Sequence, residues 1–195
     1  GQVIASSVRS FLRFLLLHRL IGRDLAASVP SFANWRLASL PKTVSGEDLE
    51  RLLQATDTTS PVALRDRAIV LCMVDLGMRA SDVASLELDG VDLVGRALRL
   101  RRQKQRQITT VPMSQRLASA ISAYLRCGRP QCPSLALFVV HRAPRGKALT
   151  TGGISDVVRR RAVVVGLGHC IHGSYLIRHS TASRWIQAGA TLKQI

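Results

Sequence analysis

Apolar residues recur at helical spacing along most of the chain. Val8, Phe11, Leu12 and Leu15 do so within residues 2–21, which predicts one helix stopped by Gly22. Residues 28–44 contain Pro30, Pro41 and several small polar residues, the composition of a linker. Ser45 then stands where an N-cap belongs, with Asp48 at the capping-box position and Leu49, Leu52 and Leu53 forming an apolar face. A further helix is predicted from about Val62 to Leu76, with Ile69, Val70, Met73 and Val74 inward and Gly77 as its stop. A short helix containing Ser81 to Leu86 follows.

The period then changes. Ala97 to Arg101 alternates apolar and polar, and Gln107 to Val111 does so more loosely. Between them lies the basic stretch Arg102-Gln103-Lys104-Gln105-Arg106, so the segment reads as a β-hairpin with a cationic tip, its second strand ended by Pro112. Helix returns at about 115–126, with Leu117, Ile121, Tyr124 and Leu125 on one face. Phe138-Val139-Val140 reads as a short extended segment. Two more helices are expected, at about 153–165 and from near Ser174, and residues 191–195 read as the first turn of another. Helices, a small sheet, then helices make an α+β fold that is mostly helical.

Charge sharpens this picture. The chain of 195 residues has a formal net charge of +16. Residues 1–40 contribute +4, residues 41–95 contribute −5 and residues 96–195 contribute +17, with Asp156 the only acid in the last segment. Such a surface favours a polyanionic partner, because arginines and lysines displace the counterions of nucleic-acid phosphates. Arginine dominates, and its planar fork suits phosphate oxygens. A GC-rich genome explains arginine over lysine equally well, but not the near-absence of acids after residue 95. No apolar run approaches the ~20 residues of a membrane span. The chain begins with Gly1, not Met, inside a predicted helix, so its true start is expected to lie upstream. Cys72 falls in an apolar helix and reads as core. Cys127 and Cys132 are close in sequence, but no second Cys/His pair is spaced to complete a zinc site, and all four cysteines, Cys170 included, are expected to be free thiols in a reducing, bacterial cytoplasm.

Three motifs occur in a fixed order. The first is Leu76-Gly77-Met78-Arg79-Ala80-Ser81-Asp82-Val83. The second is Lys104 in the hairpin, ahead of Val111-Pro112. The third is Tyr175-Leu176-Ile177-Arg178-His179, followed by Ala188-Gly189-Ala190. Each alone is an ordinary surface cation near a helix end or a turn. In this order and context they resemble the tyrosine recombinases, or phage integrases. That family carries Gly-x-Arg-x-Ser-Glu, a hairpin lysine before Val-Pro, and His-x-Leu-Arg-His. The resemblance runs from about residue 40 to the last residue. It implies a tyrosine-recombinase catalytic domain over 39–195, incomplete at its C-terminus, preceded over 1–38 by the end of a helical core-binding domain and its linker.

The resemblance also implies the chemistry. A DNA phosphodiester is attacked in line, and its non-bridging oxygens gain charge that two arginines can clamp. Arg79 and Arg178 take those roles. Lys104 protonates the leaving 5′-oxygen. The nucleophile is a tyrosine hydroxyl that forms a 3′-phosphotyrosine link. Bond energy is conserved, so no cofactor and no metal are implied. Double-stranded DNA is the implied partner, with Arg101, Arg102, Arg106 and His179 as further contacts, and a homo-oligomer on DNA in a full-length form.

The sequence departs from the family at four places. Tyr175 stands where a histidine is usual. A tyrosine hydroxyl donates a hydrogen bond, but with a reference pKa of ~10 it is a poor base at neutral pH. Either Tyr175 partly replaces the histidine or the gene has decayed. Asp82 stands for the family's glutamate. Gln103 and Gln105 flank Lys104 where glycines are usual, so Arg102 or Arg106 can instead hold the acid's place. The nucleophile's own motif does not occur before Ile195, and the only tyrosines are Tyr124 and Tyr175. Two readings stay open: a piece of a site-specific recombinase, or a DNA-binding remnant that grips without cutting. A third, an RNA-binding basic protein, is disfavoured by the low aromatic content, 4%, which leaves few stacking platforms.

Overall fold

The computed structural model describes residues 2–30, 43–55, 60–102 and 107–191, with side chains excepted at 2, 101, 102 and 107. The chain divides into two compact units, residues 1–41 and 42–195.

The first unit holds α1 (Gln2–Leu17) and a short 3-10 turn at Ala26–Ser28. Arg9 donates from Nη2 to the carbonyl oxygens of Val29 and Pro30, at 3.2 and 2.8 Å. Asp24 accepts from the Ala26 amide at 2.8 Å and so starts the turn. The helix ends at Leu17, short of the expected residue 21, and Arg19 adopts a positive φ. Within this unit the apolar stripe is largely uncovered. Ala5 is buried, while Val8, Phe11, Phe14 and Leu17 are exposed.

The second unit is built around α3 (Pro61–Leu76). Ser60 accepts from the Ala63 amide as its N-cap, and Pro61 occupies the first turn, where its missing N–H costs nothing. From Ala68 to Val74 every residue is buried, so this helix lacks the one-sided pattern of a surface helix. Around it pack α2 (Gly46–Gln54), α5 (Gln115–Ala123), α6 (Thr151–Val164) and α7 (Ser174–Gln187). Leu49, Leu52, Ile69, Met73, Leu117, Ile121, Tyr124, Phe138, Ile154 and Ile177 are all at most 1% exposed and form one core. Ser45 caps α2 by accepting from the Asp48 amide at 3.0 Å, as its sequence position predicts.

A short helix, α4 (Ala80–Ala84), leads into a three-stranded antiparallel sheet in the order β1 (Val91–Asp92), β2 (Ala97–Arg102), β3 (Gln107–Pro112). Leu98 pairs with Val111 and Leu100 with Thr109, a register that turns Leu98 and Leu100 to the core and leaves Arg99 exposed. The hairpin is therefore as the alternation predicts, with β1 added. The expected helix at 115–126 ends earlier, at Ala123, and continues as a π-helical turn over Tyr124–Gly128. Close packing holds this turn: a Cβ on Gly128 would lie 2.9 Å from the Tyr124 ring and 3.1 Å from the Pro61 carbonyl oxygen.

Candidate active site

Gly77 stops α3 at φ +57°, in the left-handed region that glycine enters without a Cβ penalty. Space makes the same demand, because a Cβ there would lie 3.0 Å from the Trp185 ring of α7. The chain passes through buried Met78 and reaches Arg79, the extended residue that precedes α4, at φ −73° and ψ 152°. Arg79 is exposed.

Helix α7 lies across this same turn. Thr181, 1% exposed, donates its hydroxyl toward the carbonyl oxygens of Met73 and Val74, at 3.3 and 3.2 Å. These belong to the last turns of α3, where helical carbonyls run out of amide partners. Ser180 donates to the Leu176 carbonyl at 2.8 Å and accepts from the Val44 amide at 2.7 Å, which ties the segment leading to α2 onto α7. Arg178, one turn before Thr181, donates from Nη1 to the Gly77 carbonyl, a partner 101 residues away in sequence. Arg79 follows two peptide units later, so its Cα lies within about 8 Å of that oxygen. One glycine turn thus brings together the two arginines that the sequence motifs single out.

Tyr175 is 75% exposed. Its ring lies 4.3 Å from that of His179, tilted by 58°. The Ser174 hydroxyl meets that of Ser155 at 3.0 Å, so the first turns of α7 and α6 are adjacent. Arg101 and Arg102 lie in β2 by their backbone. Their side chains, and Lys104 and Arg106 altogether, lie outside the described residues. Tyr124 is fully buried, as its helical spacing predicts. Its hydroxyl lies 3.3 Å from His141 Nε2 and accepts from the Val139 amide at 3.5 Å. Burial raises its pKa above the ordinary tyrosine value.

Two charge clusters were not visible in the sequence. Asp75 sits in the last turn of α3, where a carboxylate faces the negative end of the helix dipole. Two groups offset that: the Ser114 hydroxyl donates to Oδ2, and Arg116 lays its fork across the carboxylate, with Nε at 3.0 Å from both oxygens, while also reaching Glu50 at 2.9 Å. The cluster fastens the end of β3 and the start of α5 to the helix turn two residues before Gly77. Ser114 also caps α5 by accepting from the Leu117 amide, the one part of this cluster with a sequence signal. In the second cluster Asp66, 1% exposed, accepts from Arg65 on one oxygen and from Arg161 on the other, each at 2.7 Å. Arg65 further donates to the Val139 carbonyl.

These contacts correct the reading of charge. Part of the basic excess after residue 95 is structural: Arg116, Arg129, Arg159 and Arg161 are spent on internal partners. All four cysteines are free, with Cys72 buried and Cys127 exposed. Burial, with Asp75 nearby, pushes the Cys72 thiol up to about 12. Among the described residues no group of three His, Cys, Asp or Glu side chains can hold a metal ion, and no helix is long and apolar enough to cross a membrane.

The sequence model of the phage integrase family matches residues 42–195. The chain belongs to the phage integrase family. The matched range is the whole second unit, which contains both arginines and the turn that joins them. Among curated integrase-family proteins, the putative integrase/recombinase y4rA of Sinorhizobium fredii is 34% identical over 195 residues, covering 100% of this chain and 47% of the relative. Tyrosine recombinase XerD of Lacticaseibacillus casei is 30% identical over 197 residues, covering 97% of the chain and 64% of the relative. The chain therefore spans less than two thirds of the length of these relatives. In fold it is similar to XerA recombinase, with a TM-score of 0.70 at 20% identity over 97% of this chain and 62% of that one. It is equally similar, at 0.70 and 16% identity, to a lambda integrase tetramer bound to a Holliday junction, over 98% of this chain and 55% of that one.

Proposed function

We propose that these residues form the DNA-gripping, phosphate-activating part of a site-specific recombinase. The observation that carries this reading is the seating of Arg178 on the Gly77 carbonyl, which holds its guanidinium at the turn that carries Arg79 two residues further on. Two guanidinium groups from separate elements can bracket the non-bridging oxygens of one phosphodiester and stabilise the charge that develops there during in-line displacement. Lys104, from the hairpin between β2 and β3, protonates the leaving 5′-oxygen. Tyr175, exposed at the first turn of α7, donates a hydrogen bond to the same phosphate from the place the family gives to histidine. Arg101, Arg102, Arg106 and His179 contact the flanking DNA. The product of the first step is a 3′-phosphotyrosine link, and rejoining reverses it. Residues 1–38 end a helical core-binding domain in this reading, and copies of the full-length protein assemble on duplex DNA.

The nucleophile is not among residues 1–195 in this proposal. Tyr124 is enclosed in the core and bonded to His141 and Val139. Tyr175 is reserved for the phosphate's side oxygens, one turn from Arg178 on the same helix. The test is a nicked suicide duplex incubated with the 195-residue chain and resolved on a denaturing gel. The proposal expects DNA retention on a native gel and no covalent band on the denaturing one. A covalent band lost in Tyr175→Phe would make Tyr175 the nucleophile and overturn this assignment.

A further inference from the structure

The hairpin-like loop between Val139 and Ala148 has no role in the site so far described. Its sequence is His141-Arg142-Ala143-Pro144-Arg145-Gly146-Lys147, and Arg142, Arg145 and Lys147 are all exposed. Its base is closed by an antiparallel bridge between Val139 and Ala148, and by amide-to-carbonyl bonds from Val140 to Lys147 at 2.8 Å and from Gly146 to Val140 at 2.9 Å. Gly146 adopts φ +82°, and a Cβ there would lie 2.6 Å from the Cys132 Cβ, so the loop is shaped around a glycine against a fixed neighbour. At its root His141 rests on the Tyr124 hydroxyl. This is a held loop, not a solvated tail.

Three unpartnered charges stand together on this one loop, whereas Arg126, Arg160 and Arg184, also exposed, are scattered over three other elements. Arg116, Arg129, Arg159 and Arg161 have internal acceptors, whereas Arg142, Arg145 and Lys147 make no ion pair or side-chain hydrogen bond among the described residues. No acidic residue occurs between Asp92 and Asp156, so no neighbour along the chain neutralises the three. The fold therefore keeps three like charges on one short loop, a repulsion that an anionic partner relieves. Position supplies the rest. From Lys147 the chain runs through Leu149, whose amide bonds the Phe138 carbonyl, directly into α6, and Ser155 of α6 touches Ser174 at the start of α7. Adding three extended residues, about one and a half helical turns and one side-chain contact puts the loop within ~25 Å of the first turn of α7. That is about seven base-pair steps along B-DNA at ~3.4 Å each.

We propose that Arg142, Arg145 and Lys147 form a second phosphate-gripping site, which holds the duplex backbone several base pairs from the phosphate bracketed by Arg79 and Arg178. The inference rests on the DNA-binding reading above. It divides labour: the loop supplies affinity and the arginine pair supplies chemistry.

The experiment is fluorescence anisotropy of a labelled duplex with the 195-residue chain, titrated at several salt concentrations. Three proteins are compared: the unaltered chain, R142A/R145A/K147A, and R96A/R126A, which removes exposed charge beside α5. The loop variant should retain its melting temperature, since its three side chains are exposed and bonded to nothing described. Its affinity should fall about 10- to 100-fold near physiological salt, and the slope of log K against log salt should flatten by about 2 to 3, close to ~0.9 per lost phosphate contact. R96A/R126A should change the slope by less than one. Equal slopes for the loop variant and the unaltered chain overturn the inference alone. Equal loss per charge in both variants also overturns it, since the attraction is then a diffuse field. An unaltered chain that binds no duplex overturns the DNA-binding reading and this inference together.

Discussion

Replacing Gly77 with alanine tests the joint on which the candidate site is built. The residue sits at φ +57°, where an L side chain meets its own backbone, a cost of about 1–2 kcal/mol. The added Cβ would also stand 3.0 and 3.2 Å from two carbons of the Trp185 ring, closer than ordinary van der Waals contact. Crowding of this kind costs about 1–3 kcal/mol, and the half-buried Trp185 can yield by a few tenths of an ångström, which favours the lower end. The sum is about 2–3 kcal/mol. For a folded unit of this size that lowers the melting temperature by roughly 5–10 °C. Thermal unfolding followed by circular dichroism measures it directly. A double-mutant cycle with Trp185→Leu separates the two causes. Relief of the ring contact should appear as a coupling of about 1 kcal/mol, leaving the backbone cost behind. A fall of less than about 2 °C for Gly77→Ala would refute the argument, because neither the left-handed turn nor the packing of α7 on it could then be as described.

Four further outcomes follow from the same structure. Asp66→Asn removes the carboxylate shared by Arg65 and Arg161 and leaves both cations short of a partner, so it should destabilise by about 3–5 kcal/mol in urea unfolding, the cost of breaking a buried pair. Arg116→Ala strands Asp75 with only Ser114 and should cost about 1–3 kcal/mol by the same assay. Cys127 should react with a thiol reagent in the native chain and Cys72 only on unfolding, because Cys72 is buried and its thiol is pushed up to about 12. Burial and the nearby Arg65 hold His141 below its ordinary pKa. The folded state thus favours the neutral ring. The resulting stability is present above the unfolded value of ~6.5 and is lost as pH falls toward and through the lowered folded value, and His141→Gln should flatten that part of the pH–stability curve.

Much of this arrangement was legible in the sequence where the cause is local. Ser45 and Asp48 mark the start of α2 because a cap and its amide are three residues apart. Gly77 marks the end of α3 because the turn needs a positive φ. The alternation from Ala97 and from Gln107 gives the hairpin, since one face of each strand is buried. Two-residue β1 escaped because Val91-Asp92 is too short to alternate. The π-helical turn at Tyr124–Gly128 escaped because its cause is contact with Pro61, far away in the chain. The site divides in the same way. Arg79 and Arg178 stand out by motif, but the contact that seats Arg178 on the Gly77 turn spans 101 residues and carries no local pattern. The Asp75–Arg116 and Asp66–Arg161 pairs are equally non-local, which is why a charge count along the chain does not separate arginines that serve the fold from those open to a partner. On α1 the helical spacing of Val8 and Phe11 gave the right element, yet both are exposed within their own unit, because periodicity reports an apolar face and not what covers it.

The central claim is that Arg79 and Arg178 act on charge that appears only as the phosphodiester reacts. The direct measurement takes a chain extended through its tyrosine and compares Arg79→Ala and Arg178→Ala with the parent for both DNA affinity and the rate of covalent strand cleavage on a suicide duplex. Removing a preorganised donor to a developing oxyanion costs about 10²–10³ in rate. Each variant should lose at least that much cleavage, with affinity changed only several-fold. Affinity and cleavage falling together by the same factor in both variants would contradict it, and would make the two arginines ordinary backbone contacts.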